Sequence, residues 1–255
     1  MIADDKGREA SWPPSFREEV KLNFKEFRFV FIDTAYLKYL HNYDSEIFFS
    51  ADTDYSKKPH LGILINCHGR KYVIPLTSAK RKHSGWRDVT ATNYRIYEEI
   101  DIRTTVTDRY DVIVDQTDIN KLRQKGIPED EFVYHKKRIL SVLEIKKMLP
   151  VVEGVYSYVE LSERSTEIED EQRRNLMIKE YFFCKKIKTQ IESKAKKIYE
   201  RQIMSGVVAQ YHCNYKLLES VADEYKNEFS GSATIDFDNF YQNQVNAAEI
   251  YGKIS

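Results

Sequence analysis

Tyr72-Val73-Ile74-Pro75-Leu76-Thr77-Ser78-Ala79-Lys80-Arg81-Lys82-His83 is an apolar run that stops on two hydroxyls and then turns cationic. A second apolar run, Leu61 to Ile65, precedes it across a segment containing His68-Gly69. Two such runs about a glycine turn predict a β-hairpin. Just upstream, Phe27, Phe29 and Phe31 interleave with Arg28, Val30 and Ile32, an aromatic and β-branched pattern that predicts a strand. Asp33-Thr34 then offers an N-cap to a short helix carrying Tyr36, Leu37, Tyr39 and Leu40. Downstream, residues 84–136 mix charges with short β-prone pieces (Asn93 to Tyr97, Val112 to Val114) and read as an insertion. Ile139 to Leu143 is a short buried segment, strand or helix, and Val151-Val152 resumes an apolar run after Pro150. From Glu169 to Ser205 there is no Gly or Pro, and the spacing of Tyr181, Phe182, Ile187, Ile191 and Ile198 predicts one long amphipathic helix; another follows over 215–229. Strands in hairpin order followed by helices indicate an α+β fold with a twisted, mainly antiparallel sheet.

The chain has 255 residues, 42% of them apolar, enough for one sizeable core. That core is expected over 23–229, with an N-terminal arm at 1–22 and, after Ser230-Gly231-Ser232, a C-terminal extension at 230–255. No apolar run approaches the roughly 20 residues that span a bilayer, and Met1 to Arg17 is polar, so a cytoplasmic protein without membrane contact is expected. Cys67, Cys184 and Cys213, odd in number and widely spaced, read as free thiols rather than a disulfide or zinc framework. Lys plus Arg balances Asp plus Glu at 40 each, which removes the global basic excess of many nucleic-acid binders. The balance is uneven along the chain. Lys57, Lys58, Arg70, Lys71, Lys80, Arg81, Lys82 and Arg87 occupy a stretch that contains no Asp or Glu, a local cation field suited to a polyanion.

Cleaving RNA without a metal requires a base for the 2′-hydroxyl, donors or cations around the phosphorane, and a proton for the departing 5′-oxygen. Thr77, Ser78, Lys80 and His83 are the right residue types, and Lys58 and Lys80 can oppose charge developing on the phosphoryl oxygens. Which of them is base or acid stays open, and a solvated basic turn after a hairpin is the plain alternative. Lys185, Lys186, Lys188, Lys194, Lys196, Lys197 and Arg201 offer further phosphate contacts or simply the wet face of a helix. His60 and His83, at an unperturbed pKa near 6.5, have the right chemistry to titrate in use. Without carboxylates in the basic stretch, no metal or other cofactor is expected, and a metal-dependent nuclease ranks last.

Four ordered blocks give the sequence a resemblance to the ToxN, AbiQ and CptN family of endoribonuclease toxins. They are Phe31 to Leu40; Lys58 to Leu64 followed by Arg70 to Lys80; Leu140 to Val152; and the helical region Tyr181 to Tyr215. The Pro-Leu-Thr-Ser-x-Lys segment after a glycine-bearing strand is the most specific of them; Ala79 stands where the family commonly has Pro, and His60 where an aromatic is frequent. The resemblance implies a compact barrel-like core. It also implies sequence-selective, metal-independent cleavage of single-stranded RNA by 2′-hydroxyl attack, leaving a 2′,3′-cyclic phosphate. Tyr36, Lys58, Thr77, Ser78 and Lys80 would surround the scissile phosphate, and Tyr55, Lys57, His60, Arg81, Lys82 and His83 would line the RNA groove. The implied partner is an RNA antitoxin of pseudoknotted repeats, bound in a closed toxin-RNA hetero-oligomer, with phage defence by abortive infection as the setting. The alternative is an RNA-binding module that uses the same groove without cutting.

Overall fold

The computed structural model describes residues 27–50, 58–64, 70–115, 118–162, 164 and 166–229. The 1–22 arm, the 230–255 extension, Tyr55, Lys57, Cys67 and the His68-Gly69 turn lie outside them. Among the described residues, eight strands form one sheet: β1 (Phe29–Ile32), β2 (His60–Leu64), β3 (Lys71–Ser78), β4 (Asn93–Asp101), β5 (Val112–Asp115), β6 (His135–Glu144), β7 (Leu149–Val151) and β8 (Tyr156–Tyr158). Their order is β4-β6-β3-β2-β1-β8, with β5 on β6 and β7 on β3, and every pairing is antiparallel. The helices are α1 (Thr34–Tyr43), α2 (Ile119–Gln124), α3 (Ile168–Lys186), α4 (Lys188–Ser205) and α5 (Tyr215–Phe229). The expected α+β class and antiparallel sheet are present. The sheet stays open, however, because β4 at one end and β8 at the other do not pair.

The anticipated hairpin is β2 and β3, registered Leu61 opposite Ile74 and His60 opposite Pro75. Gly62 is required there: its N–H donates to the Arg28 carbonyl at 2.6 Å, and a Cβ would meet that oxygen at 3.1 Å. The Asp33 carboxylate caps α1 by accepting from the Ala35 N–H at 2.6 Å. On its far side β3 pairs with β7 along Lys71 to Val73 and with β6 along Leu76 to Ser78. The chain bridges these two partners with the 3-10 turn Ile145–Lys147. Glu144 is therefore the last residue of β6 before the break, beside the end of β3 that carries Thr77 and Ser78.

Two expectations change. Residues 84–136 are not an appendage, because β4 pairs with β6 from Asn93 opposite Glu144 to Asp101 opposite His135. Its charges are met by ion pairs from elsewhere, Glu98 with Arg138 and Lys179, and Glu99 with Lys121 and Lys125. The single long helix is two helices that break at Ile187 (φ −113°, ψ 21°). α3 packs on β4 and β6, whereas α4 packs on the Ile145–Lys147 turn and α5, so two different surfaces draw the halves apart. Cys184 and Cys213 are buried free thiols. No helix among the described residues is long and apolar enough to cross a membrane.

Candidate nucleic-acid site at the end of β3

Strand β3 ends at Ser78, and the chain turns at once into the 3-10 segment Arg81–Gly85. Ser78, Lys80, Arg81 and Lys82 are exposed, and Thr77 is half-buried. The Ala79 N–H donates to the Leu140 carbonyl at 3.2 Å, so pairing with β6 continues just past the strand. The turn is then fixed from inside by His83. Its Nδ1 accepts the Lys80 N–H at 3.1 Å, its own N–H donates to the Lys80 carbonyl at 2.8 Å, and its ring lies 4.6 Å from that of Trp86. His83 is almost wholly buried, and burial, reinforced by Lys82, holds its imidazole below the usual histidine range. It shapes the turn rather than lining an open groove.

His60 departs from expectation in the same way. It is buried under the hairpin, and burial pulls its pKa down to about 4, against a hydrogen bond to the Lys58 backbone that works the other way. Its Nδ1 has no hydrogen-bond partner among the described residues. In both histidines burial disfavours the charged imidazolium. Lys58 lies two residues before His60, whose partner Pro75 is two residues before Thr77. The Lys58 ammonium lies 5.7 Å over the Phe48 ring.

Tyr36 is separated from this cluster. It is fully buried, its hydroxyl donates to the Pro150 carbonyl at 2.9 Å, and its ring packs 4.9 Å edge-on to Tyr225. Burial raises its phenol well above the ordinary value. Pro150 pairs with Tyr72, five positions before Thr77, which sets Tyr36 about 17 Å down the strand at ~3.4 Å per residue. The structure thus gathers Thr77, Ser78, Lys80, Arg81 and Lys82 at one end of β3, with Lys58 just before the paired end of β2 and His83 buried beneath, and leaves Tyr36 in the core.

Sequence reading missed two inward-facing groups. The Thr77 hydroxyl donates to Glu144 Oε1 at 2.5 Å. Arg95 of β4 donates from one nitrogen to the carbonyls of His83 and Ser84, both at 3.0 Å, and grips Asp88 with two others. Asp88 also receives buried Lys137 at 2.7 Å. Burial would raise the Asp88 carboxyl, but hydrogen bonds from Lys137 and Arg95 outweigh it and hold the group low. The available signal was a charged residue, Arg95, at an inward position of the run Asn93 to Tyr97.

The acid-free stretch also divides. Arg70 pairs with Asp223, and Lys71 with Glu153, at the far end of β3. Lys80, Arg81, Lys82 and Arg87 make no ion pair among the described residues. Among those residues, too, no three His, Cys, Asp or Glu side chains cluster as metal ligands would.

An open antiparallel α+β sheet that presents hydroxyls and cations at one strand end defines a protein equipped for a polyanion. The family described as "Toxin ToxN, type III toxin-antitoxin system" matches residues 28–223, and the chain belongs to that family. It is 26% identical over 206 residues to the endoribonuclease ToxN of Bacillus thuringiensis subsp. kurstaki, covering 78% of this chain and 84% of that protein. It is 22% identical over 202 residues to endoribonuclease ToxN of Pectobacterium atrosepticum, covering 79% and 95%. In fold it matches a type III toxin structure described as selectively inhibited by a non-coding RNA pseudoknot, with TM-score 0.55, 24% identity, and 79% and 99% of the two chains covered. AbiQ, a lactococcal anti-phage endoribonuclease of the type-III toxin-antitoxin system, matches with TM-score 0.54 and 18% identity over 79% and 99%.

Proposed function

We propose that the chain is an endoribonuclease toxin that cuts single-stranded RNA internally at the end of β3 and is neutralised by a structured RNA antitoxin. The observation that carries this reading is the juxtaposition of Thr77, Ser78, Lys80 and Lys58 in a family whose named relatives are endoribonucleases. Phage defence, as stated for AbiQ, and a closed toxin-RNA assembly are part of the same proposal.

The Thr77 proton is engaged by Glu144, so its oxygen meets substrate as an acceptor. It takes the hydrogen of the attacking 2′-hydroxyl while its own proton passes to the Glu144 carboxylate. The new 2′-oxygen to phosphorus bond forms as the bond to the 5′-oxygen breaks. Lys58, Ser78 and Lys80 face the phosphoryl oxygens, where one preorganised donor is worth roughly 2.7–4 kcal/mol, and the Lys80 ammonium supplies the proton to the departing 5′-oxygen. The products are a 2′,3′-cyclic phosphate and a 5′-hydroxyl. Arg81 and Lys82, with Tyr55 and Lys57, contact flanking phosphates, and Tyr36 anchors the opposite end of β3.

The test is turnover of a single-stranded RNA by Ser78→Ala, Lys80→Ala and Glu144→Gln, each checked for native thermal unfolding. The first two are expected to lose roughly 100-fold or more, and Glu144→Gln to lose turnover that Glu144→Asp restores. Full turnover in folded Ser78→Ala and Lys80→Ala rejects the site.

A further inference from the structure

Beyond β4 from Ser78 lies a cleft of about 670 Å³, which is the size of an ordinary small-ligand site. One wall is α4, from which Lys194, Lys197 and Arg201 project at i, i+3 and i+7 onto a single face. The facing wall is the 89–92 loop with Tyr94, and His212 helps close the end. Among the described residues, no Asp or Glu lines it. Lys194 is already spent, since its ammonium donates to the Thr90 carbonyl and sits 3.9 Å over the Tyr94 ring. Lys197 and Arg201 are exposed and make no ion pair among the described residues, whereas Lys188 and Lys196 are held by Glu192 and Glu200. The field here is positive enough to register on a neighbour. The His212 imidazole is held below its usual range by burial and then by Lys146, Lys147 and Arg201.

The cleft and the candidate catalytic site are linked through the backbone at the start of β4. Thr92 lines it and accepts the Ile145 N–H at 2.9 Å, and Asn93, the next residue, is the strand partner of Glu144, which holds Thr77. A strand of RNA cut beside Thr77 would have to cross the ends of β6 and β4 to enter it. An acid-free wall with two uncommitted cations fits the phosphodiester backbone and carries no base-reading geometry.

We propose that this cleft holds the backbone of the single-stranded substrate beyond the scissile bond, with Lys197 and Arg201 as its phosphate ligands. The proposal rests on the endoribonuclease reading and adds an extended binding subsite to it. It makes affinity depend on substrate length and leaves the chemical step alone.

The test is the double variant Lys197→Ala/Arg201→Ala, both positions being exposed and outside the catalytic cluster. On a single-stranded RNA of about sixteen nucleotides, KM is expected to rise roughly tenfold or more with kcat unchanged. The slope of log affinity against log salt should fall by about 1.4, at ~0.7 per phosphate contact. On a truncated RNA that reaches only the β3 end, KM should not change. Binding of the same long RNA with a 2′-methoxy group at the cut site is measured in parallel. If no RNA is cut by either protein yet the variant loses salt-dependent binding, the cleft stands and the enzymatic reading fails. Unchanged KM and salt slope on the long RNA overturn the proposal, as does weakened antitoxin binding with unchanged KM, which would give the cleft to the inhibitor.

Discussion

Replacing Tyr36 by Phe removes one oxygen and separates two roles for this residue. In the structure the hydroxyl is buried and donates to the Pro150 carbonyl at 2.9 Å, on a strand that pairs with the start of β3. Its loss deprives a buried carbonyl of that donor while the ring keeps its packing on Tyr225. A buried polar group stripped of its partner costs about 1–3 kcal/mol. For a domain of about 200 residues, at ~2–4 °C per kcal/mol, the midpoint of thermal unfolding should fall by roughly 2–12 °C. Turnover per folded molecule, assayed well below that midpoint, should stay within about twofold of wild type, because the carbonyl that the hydroxyl serves pairs five residues, roughly 17 Å of strand, before Thr77. An unchanged melting temperature with turnover down by about 100-fold would refute the reasoning and place the phenol in the chemistry.

Other consequences follow from buried charged groups. Glu180 of α3 is buried against the sheet, and burial lifts its carboxyl from 4.5 to about 7, with Ser141 opposing weakly. The folded chain thus holds a proton that the unfolded chain has released, so stability falls as pH rises from about 4.5 to about 7, by an amount on the order of 3 kcal/mol. Glu180→Gln should flatten that dependence and raise the melting temperature near pH 8, and a wild-type curve equally flat would contradict it. Arg95→Lys keeps the charge but loses the fork that holds the His83 and Ser84 carbonyls. It should cost about 1.5–3 kcal/mol and speed hydrogen exchange at the His83 and Trp86 amides; unaltered exchange there would show that Arg95 does not brace the turn.

Sequence patterning served best where the determinants are local. The Phe27 to Ile32 alternation, the Asp33 cap and the β2-β3 hairpin each carry their cause within a few residues, and each is present. β4 was opaque because Glu98 and Glu99 look like loop chemistry until Arg138 and Lys121 are brought to them from far along the chain. The break at Ile187 has no Gly or Pro to mark it, since it is imposed by the separate surfaces that α3 and α4 cover. At the candidate site the same division holds. The run Thr77 to Lys82 was legible as a strand end turning cationic, whereas Glu144, Arg95 and the burial of His60, His83 and Tyr36 depend on tertiary contacts that no spacing encodes.

The central claim is that the hydroxyls and cations at the end of β3 direct the 2′-hydroxyl of RNA at its own phosphate. It is tested most directly by mass spectrometry of the two product ends after digestion of single-stranded RNA in chelator. The account predicts a 2′,3′-cyclic phosphate upstream and a 5′-hydroxyl downstream, with no cut where the attacking ribose is 2′-deoxy. A 5′-phosphate product, or cleavage only on addition of Mg²⁺, would make water the nucleophile and contradict it.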